Sequence, residues 1–121
     1  MPTESNHAIE TFAGWGDDSD EFIRDLAQME YVAGHDAGGS YEWDVFYVYY
    51  HTGRDRYFYI SGFGCSCNWI RDGVTSLGDF RESGDKRAIA KEFKAEYGEQ
   101  PYGWTQAAVE SVYNDIINHK K

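Results

Sequence analysis

Chemistry in this chain would have to start from Cys65-Ser66-Cys67, because both cysteines of the 121 residues lie there. Three kinds of chemistry suit such a pair. A thiolate metal site is the first, with Cys65, Cys67 and His51 as the set to weigh. Zinc takes four ligands, usually drawn as pairs from two places, and the chain offers no second cysteine pair or cysteine–histidine pair. The remaining ligands would have to come from His7, His35, His51 or His119, or from carboxylates. A redox dithiol is the second. Its usual form is Cys-x-x-Cys at a helix start, and a single intervening residue closes a tighter ring. A lone nucleophilic cysteine with His51 or His35 as its base is the third, although no local signature surrounds it. Against all three stands a packing role, in which small apolar thiols fill a tight turn beneath an aromatic cluster.

Other constellations are weaker. His51 with Asp36, Asp44 or Asp55 has the residue types of an acid–base pair, but each is more often a solvated strand end. Gly62-Phe63-Gly64 lacks the Gly-Lys-Ser/Thr end of a phosphate loop and leads into no helix. The tyrosines and tryptophan from Tyr41 to Tyr59 could stack bases, yet single-strand binders set such rings in a positive groove. Only Arg54, Arg56 and Arg71 stand nearby. The sequence therefore implies no cofactor and no catalytic set.

Charge offers a clearer lead. The formal charge is −10. Residues 1–44 hold eleven acids (Glu4, Glu10, Asp17, Asp18, Asp20, Glu21, Asp25, Glu30, Asp36, Glu42, Asp44) and one base, Arg24, which sums to −10 and leaves residues 45–121 neutral. Such a surface repels nucleic acid and anionic membranes and steers toward a basic partner. Aromatic residues make up 17% of the chain, mostly tyrosine and tryptophan, which suit binding faces as well as cores. The expected interaction surface is Asp17, Asp18, Asp20, Glu21, Asp36, Glu42 and Asp44, with Trp43 among them. No apolar run approaches the ~20 residues of a membrane span. The N-terminus lacks the basic-then-apolar pattern of a secretory leader. Cysteines two apart can close no long loop, so a reducing cytosol is the expected compartment.

The elements that must position these residues follow from periodicity. Residues 1–18 are polar and are expected to be a flexible lead-in, though Ile9, Phe12 and Trp15 recur at threes and would let a short turn dock. Asp18, Ser19 and Asp20 offer a helix cap, with Phe22, Ile23 and Leu26 facing inward. Residues 28–62 read as a sheet. Met29, Tyr31 and Ala33 alternate in a first strand, and Tyr41 to His51 is the strongest strand. Its face of Glu42, Asp44, Phe46, Val48 and Tyr50 starts charged and becomes apolar, which predicts a central strand covered on both sides toward its C-terminal end. A hairpin follows at Thr52–Asp55, with Gly53 at its positive φ. The return strand is expected over 56–61, with Gly62 and Gly64 taking the chain out of the sheet. Residues 63–84 then read as an ordered connector anchored by Trp69 and Phe80, able to supply a fourth strand.

Residues 85–119 read as a helical hairpin. Asp85 caps the first helix, whose stripe is Ile89, Phe93 and Tyr97, and Gly98 stands at its C-terminal stop. The second helix, over 105–119, repeats Ala108, Val109, Val112, Tyr113, Ile116 and Ile117. The fold class expected is α+β: one domain with an antiparallel three- to four-stranded meander and a C-terminal two-helix hairpin on one face.

Ser-Tyr-Glu-Trp-Asp at 40–44, Ser-Gly-Phe-Gly-Cys-Ser-Cys-Asn at 61–68 and Thr-Ser-Leu-Gly-Asp-Phe at 75–80 resemble a family of small uncharacterised proteins encoded by actinobacterial phages and their hosts. Members carry Ser-Gly-Cys-Ser-Cys-Pro after a tyrosine-rich strand, then Ser-Leu-x-Asp-Leu. This chain has Phe63-Gly64 inserted before Cys65 and Asn68 in place of the proline. The resemblance covers about residues 26–80 and implies a phage origin and a host-cell cytosolic setting, not a mechanism. Together with the charge it leads to one functional expectation. The chain is expected to be a non-enzymatic acidic accessory protein, monomeric or homodimeric, that binds and modulates a host protein, in its sharpest form by mimicking nucleic-acid charge. A small-ligand or metal-binding protein, or an enzyme centred on Cys65 and Cys67, is the alternative.

Overall fold

The computed structural model describes residues 6–14 and 18–121. Four strands make an antiparallel sheet in chain order: β1 (Met29–Asp36), β2 (Glu42–His51), β3 (Arg56–Cys65) and the short β4 (Arg81–Ser83). Two helices precede the sheet, α1 (His7–Phe12) and α2 (Asp20–Ala27). Two helices follow it, α3 (Lys86–Tyr97) and α4 (Gln106–Asn118). The 3₁₀ turns Ile70–Gly73 and Leu77–Asp79 lie between β3 and β4. The architecture is α+β, as the residue pattern predicts, with the connector supplying the fourth strand.

Period-two alternation sends β2 and β3 into two cores. Phe46, Val48, Tyr50, Tyr57 and Tyr59 meet Ile89, Phe93, Tyr97, Val109, Val112 and Ile116 of the C-terminal hairpin. The other face, with Tyr49, Phe58 and Ile60, meets Ala8 and Phe12 of α1, Phe22 and Leu26 of α2, and Val74 and Phe80 of the connector. The C-terminal half of β2 is therefore covered on both faces. β1 holds its place through a bulge: Tyr31 lies opposite Tyr49 and Ala33 opposite Val48, so Val32 is the extra residue.

Several sequence expectations change. Residues 7–12, within the expected flexible lead-in, form α1, and Phe12 is 1% exposed. Six residues are too few for a helix to persist alone; burial of Phe12, on the order of 2–3 kcal/mol, holds it. Trp15, the third member of the amphipathic spacing, lies outside the described residues. Ile23 faces outward rather than inward. The positive φ of the β2–β3 loop belongs to Asp55 (φ 53°), not Gly53. Aspartate tolerates this region, and here its carboxylate bonds Tyr50 Oη and lies 3.1 Å from Lys121 Nζ. Gly98 closes α3 in the right-handed region, and the left-handed step is taken by Gln100.

The largest revision concerns β3. It does not end near Ser61 but pairs with β2 through Cys65, opposite Glu42. Gly62 and Gly64 are thus strand residues. A β-carbon on Gly64 would stand 2.5 Å from Trp43 Cζ2, and one on Gly62 would stand 3.2 Å from Cζ3. Trp43 sits directly opposite Gly64. Glycine in the strand marks the close approach of that ring, rather than a place where the chain leaves the sheet.

A candidate acidic–aromatic groove

The helical hairpin is shorter than the sheet face it covers. At the start of β2 and the end of β3, the even-numbered residues of β2 and the odd-numbered residues of β3 continue beyond the helices. This places Glu42 opposite Cys65 and Asp44 opposite Phe63, on the same face as Phe46 and Tyr59. The end of α3 and the loop after it form the facing wall, with Glu96, Tyr97, Pro101 and Tyr102. Between the walls lies a cleft of about 640 Å³. Its exposed rings are unusually bare: Phe63 is 82% exposed and Tyr102 91%. Tyr41, just before β2, is 77% exposed. Among the described residues, no lysine, arginine or histidine lines the cleft. Glu96 shares Arg81 with Glu92 at 3.2 Å each, whereas Glu42 and Asp44 form no ion pair with a described residue. Burial pushes the Tyr97 phenol above its ordinary range, so that ring stays uncharged at ordinary pH.

Trp43 fixes the floor of this region. Its indole Nε1 donates to Cys65 O at 3.1 Å and Asn68 O at 2.8 Å. The ring lies over the Gly62–Gly64 stretch on the opposite sheet face. Asp36 holds the same end of the sheet, because its Oδ1 accepts from Gly38 N (2.9 Å) and Asp44 N (3.0 Å). Asp18 accepts from the backbone N–H of Gly14. Asp20 and Glu21 are exposed in the first turn of α2, where carboxylates suit the helix dipole. No described cleft joins Asp18, Asp20 and Glu21 to Glu42, Trp43 and Asp44. Asp17 lies outside the described residues. The charged start of the central strand was the signal for the groove; Phe63 was missed because the return strand was expected to stop at 61, and Glu96 and Tyr102 because the end of α3 and the loop after it meet the sheet only in three dimensions.

The cysteines and histidines do not assemble. Cys65 stands at one end of the β2–β3 hairpin and His51 at the other, about 30 Å away at ~3.4 Å per residue. Cys65 and Cys67 form a disulfide, and both are exposed, not the buried free thiols of the packing reading. No group of three potential metal ligands gathers among the described residues. His51 pairs with none of Asp36, Asp44 and Asp55. It is 1% exposed and meets Asp25 Oδ1 through Nε2 at 3.0 Å. Its Nδ1 accepts from Arg54 N at 3.1 Å. With both ring nitrogens engaged inside the protein, the pair ties α2 to the end of β2 and leaves no nitrogen for a substrate.

The sequence matches the family model for a domain of unknown function, DUF7574, over residues 18–120. The chain belongs to the DUF7574 family. The match spans the sheet and the C-terminal helical hairpin, so both walls of the groove are DUF7574 elements, while α1 precedes it. No curated protein and no solved structure matches the chain. No helix among the described residues is long and apolar enough to cross a membrane.

Proposed function

We propose that this DUF7574 protein is a non-enzymatic binding protein that grips a basic segment of another protein. One observation carries the reading: a cleft walled by Glu42, Asp44 and Glu96, with the bare rings of Phe63 and Tyr102 and no described cation in its lining. Exposed aromatic residues supply contact area, and a single sign of charge steers the encounter. The net charge of −10 extends that steering over the molecule. The resemblance to actinobacterial-phage proteins makes the partner a host protein, met in the cytosol of the infected cell. Mimicry of a phosphate backbone is the concrete form of the action: a partner that ordinarily holds nucleic acid would be modulated by losing access to it.

The test is retention of host proteins on the immobilised chain at low and high salt, beside a Glu42→Gln/Asp44→Asn variant. The reading expects a defined basic protein, released by salt and by the variant, and freed by competing nucleic acid. Retention that is indifferent to salt and to both substitutions would overturn it.

A further inference from the structure

The sheet has two outer edges, and among the described residues one stretch of them has no backbone partner. Native edges are usually blunted by bulges, charges, proline or brevity. β1 carries the Val32 bulge. β4 is three residues long and bears Arg81 and Glu82. β4 covers only Tyr57–Tyr59 of β3's outer side. Among the described residues, no backbone group outside β2 pairs with Ser61–Gly64. Ser61–Cys65 reads Ser-Gly-Phe-Gly-Cys, without charge, proline or bulge, and its register with β2 is unbroken. The open stretch, Ser61–Gly64, is about 13 Å long, enough for a short strand; the carbonyl of Cys65 beyond it already accepts from Asn68 N and Trp43 Nε1.

The molecule also shows how a residue beside this edge is received. Arg81 of β4 lies opposite Tyr59. Its guanidinium sits 4.7 Å above the Tyr59 ring, bonds Ser61 Oγ at 2.8 Å, and meets Glu92 and Glu96 at 3.2 Å. Two pairs of steps along β3, on the same face, the pattern recurs without its cation. Phe63 is the ring, and Asp44 directly opposite and Glu42 beside it are the carboxylates. We infer that the open edge of β3 at Ser61–Gly64 takes an extended basic segment of a partner protein as an added strand, with an arginine of that segment seated over Phe63 as Arg81 is over Tyr59. This rests on the proposed binding function and specifies its mode. Backbone pairing would supply affinity, and the alternate side chain facing Phe63 would supply specificity. A second copy of this chain is the wrong occupant, because pairing edge to edge would bring Glu42, Asp44 and Glu96 of both copies together.

The experiment uses the full chain and a synthetic peptide of alternating valine and arginine, with a valine–glutamate peptide as control. Hydrogen exchange of backbone amides is followed with and without peptide, and affinity is followed by anisotropy at low and high salt. The arginine peptide is expected to slow exchange within 61–64. Glu42→Gln/Asp44→Asn is expected to weaken its binding roughly tenfold, and Phe63→Ser to weaken it at unchanged thermal stability. Salt-sensitive binding without slowed exchange at 61–64 would overturn strand addition and leave the charge-driven reading standing. Equal binding of the glutamate peptide would overturn both. Dimers of the peptide-free protein that slow exchange at 61–64 would assign the edge to self-association and overturn the inference.

Discussion

Gly64→Ala is a small change with a large expected effect. The added methyl would stand 2.5 Å from Trp43 Cζ2, 2.7 Å from Cε2 and 2.8 Å from Asn68 Oδ1. Carbon atoms pack best at about 3.5–4.0 Å, so the indole has to retreat by roughly 1 Å. It cannot do so freely, because Nε1 is held by Cys65 O and Asn68 O. Overpacking costs about 1–3 kcal/mol, and each of the two hydrogen bonds is worth about 1 kcal/mol. Alanine returns about 0.4–1 kcal/mol by stiffening the unfolded chain. The net is roughly 2–5 kcal/mol, or a fall in Tm of about 10 °C or more for a domain of this size. Gly62→Ala is the internal control. Its methyl would stand 3.2 Å from Cζ3, and a shift of a few tenths of an ångström relieves that, so its cost stays below about 1 kcal/mol. Urea and thermal unfolding of Gly64→Ala, Gly62→Ala, Trp43→Ala and the Gly64→Ala/Trp43→Ala double variant measure the coupling. The double variant is expected to recover at least 1 kcal/mol relative to the sum of the singles. Equal costs at the two glycines, or full additivity with Trp43→Ala, would refute the steric account.

Four further outcomes follow from named contacts. Asp25→Ala leaves His51 Nε2 buried without its partner and is expected to cost about 1–3 kcal/mol; Asp25→Asn, which still offers an acceptor, should cost less, and chemical denaturation ranks them. Cys65→Ser/Cys67→Ser opens a ring only three residues long, so the loop-entropy effect is at most about 1.6 kcal/mol, and calorimetry of the variant should show a modest loss with the fold intact. Burial holds the His7 imidazole below its ordinary value of 6.5, so its contribution is complete above pH 6.5 and is lost as pH falls through the lowered value. The protection factor of the Phe12 amide (its exchange corrected for the intrinsic pH dependence) should therefore fall on acidification, and a His7→Gln variant with the same acid dependence would contradict this. Burial also pushes the phenols of Tyr31 and Tyr59 up to about 12 and Tyr49 higher still; stability is full below pH 10 and declines as pH rises from 10 toward 12, which ultraviolet titration should register as a delayed phase that denaturant abolishes.

Much of the scaffold was legible because it is written in local spacing. The alternation from Glu42 to His51 identified the central strand, and its charged beginning marked the part that no helix covers. Asp85 and the Ile89–Phe93–Tyr97 stripe placed α3, and the apolar repeat of 105–119 placed α4. Turn chemistry was legible as location but not as residue. Glycine was expected at the left-handed positions of the β2–β3 loop and the end of α3, and Asp55 and Gln100 occupy them; at Asp55 the side-chain contacts to Tyr50 and Lys121 decide which residue carries the strain. The lead-in was misjudged for a related reason: α1 has no stability of its own and exists only where Phe12 finds the second core.

The sequence alone determined the fold class, the strand order and the concentration of acids in residues 1–44, since periodicity and charge are properties of neighbours in the chain. Tertiary structure alone decided the working surface. It separated Cys65 from His51 by the length of a hairpin, gave His51 to Asp25, and turned two glycines from a strand exit into a seat for Trp43. It also set Glu42, Asp44 and Phe63 against Glu96 and Tyr102, some thirty or more residues later in the chain, because only cross-strand register and the reach of a packed helix fix which distant side chains share a face.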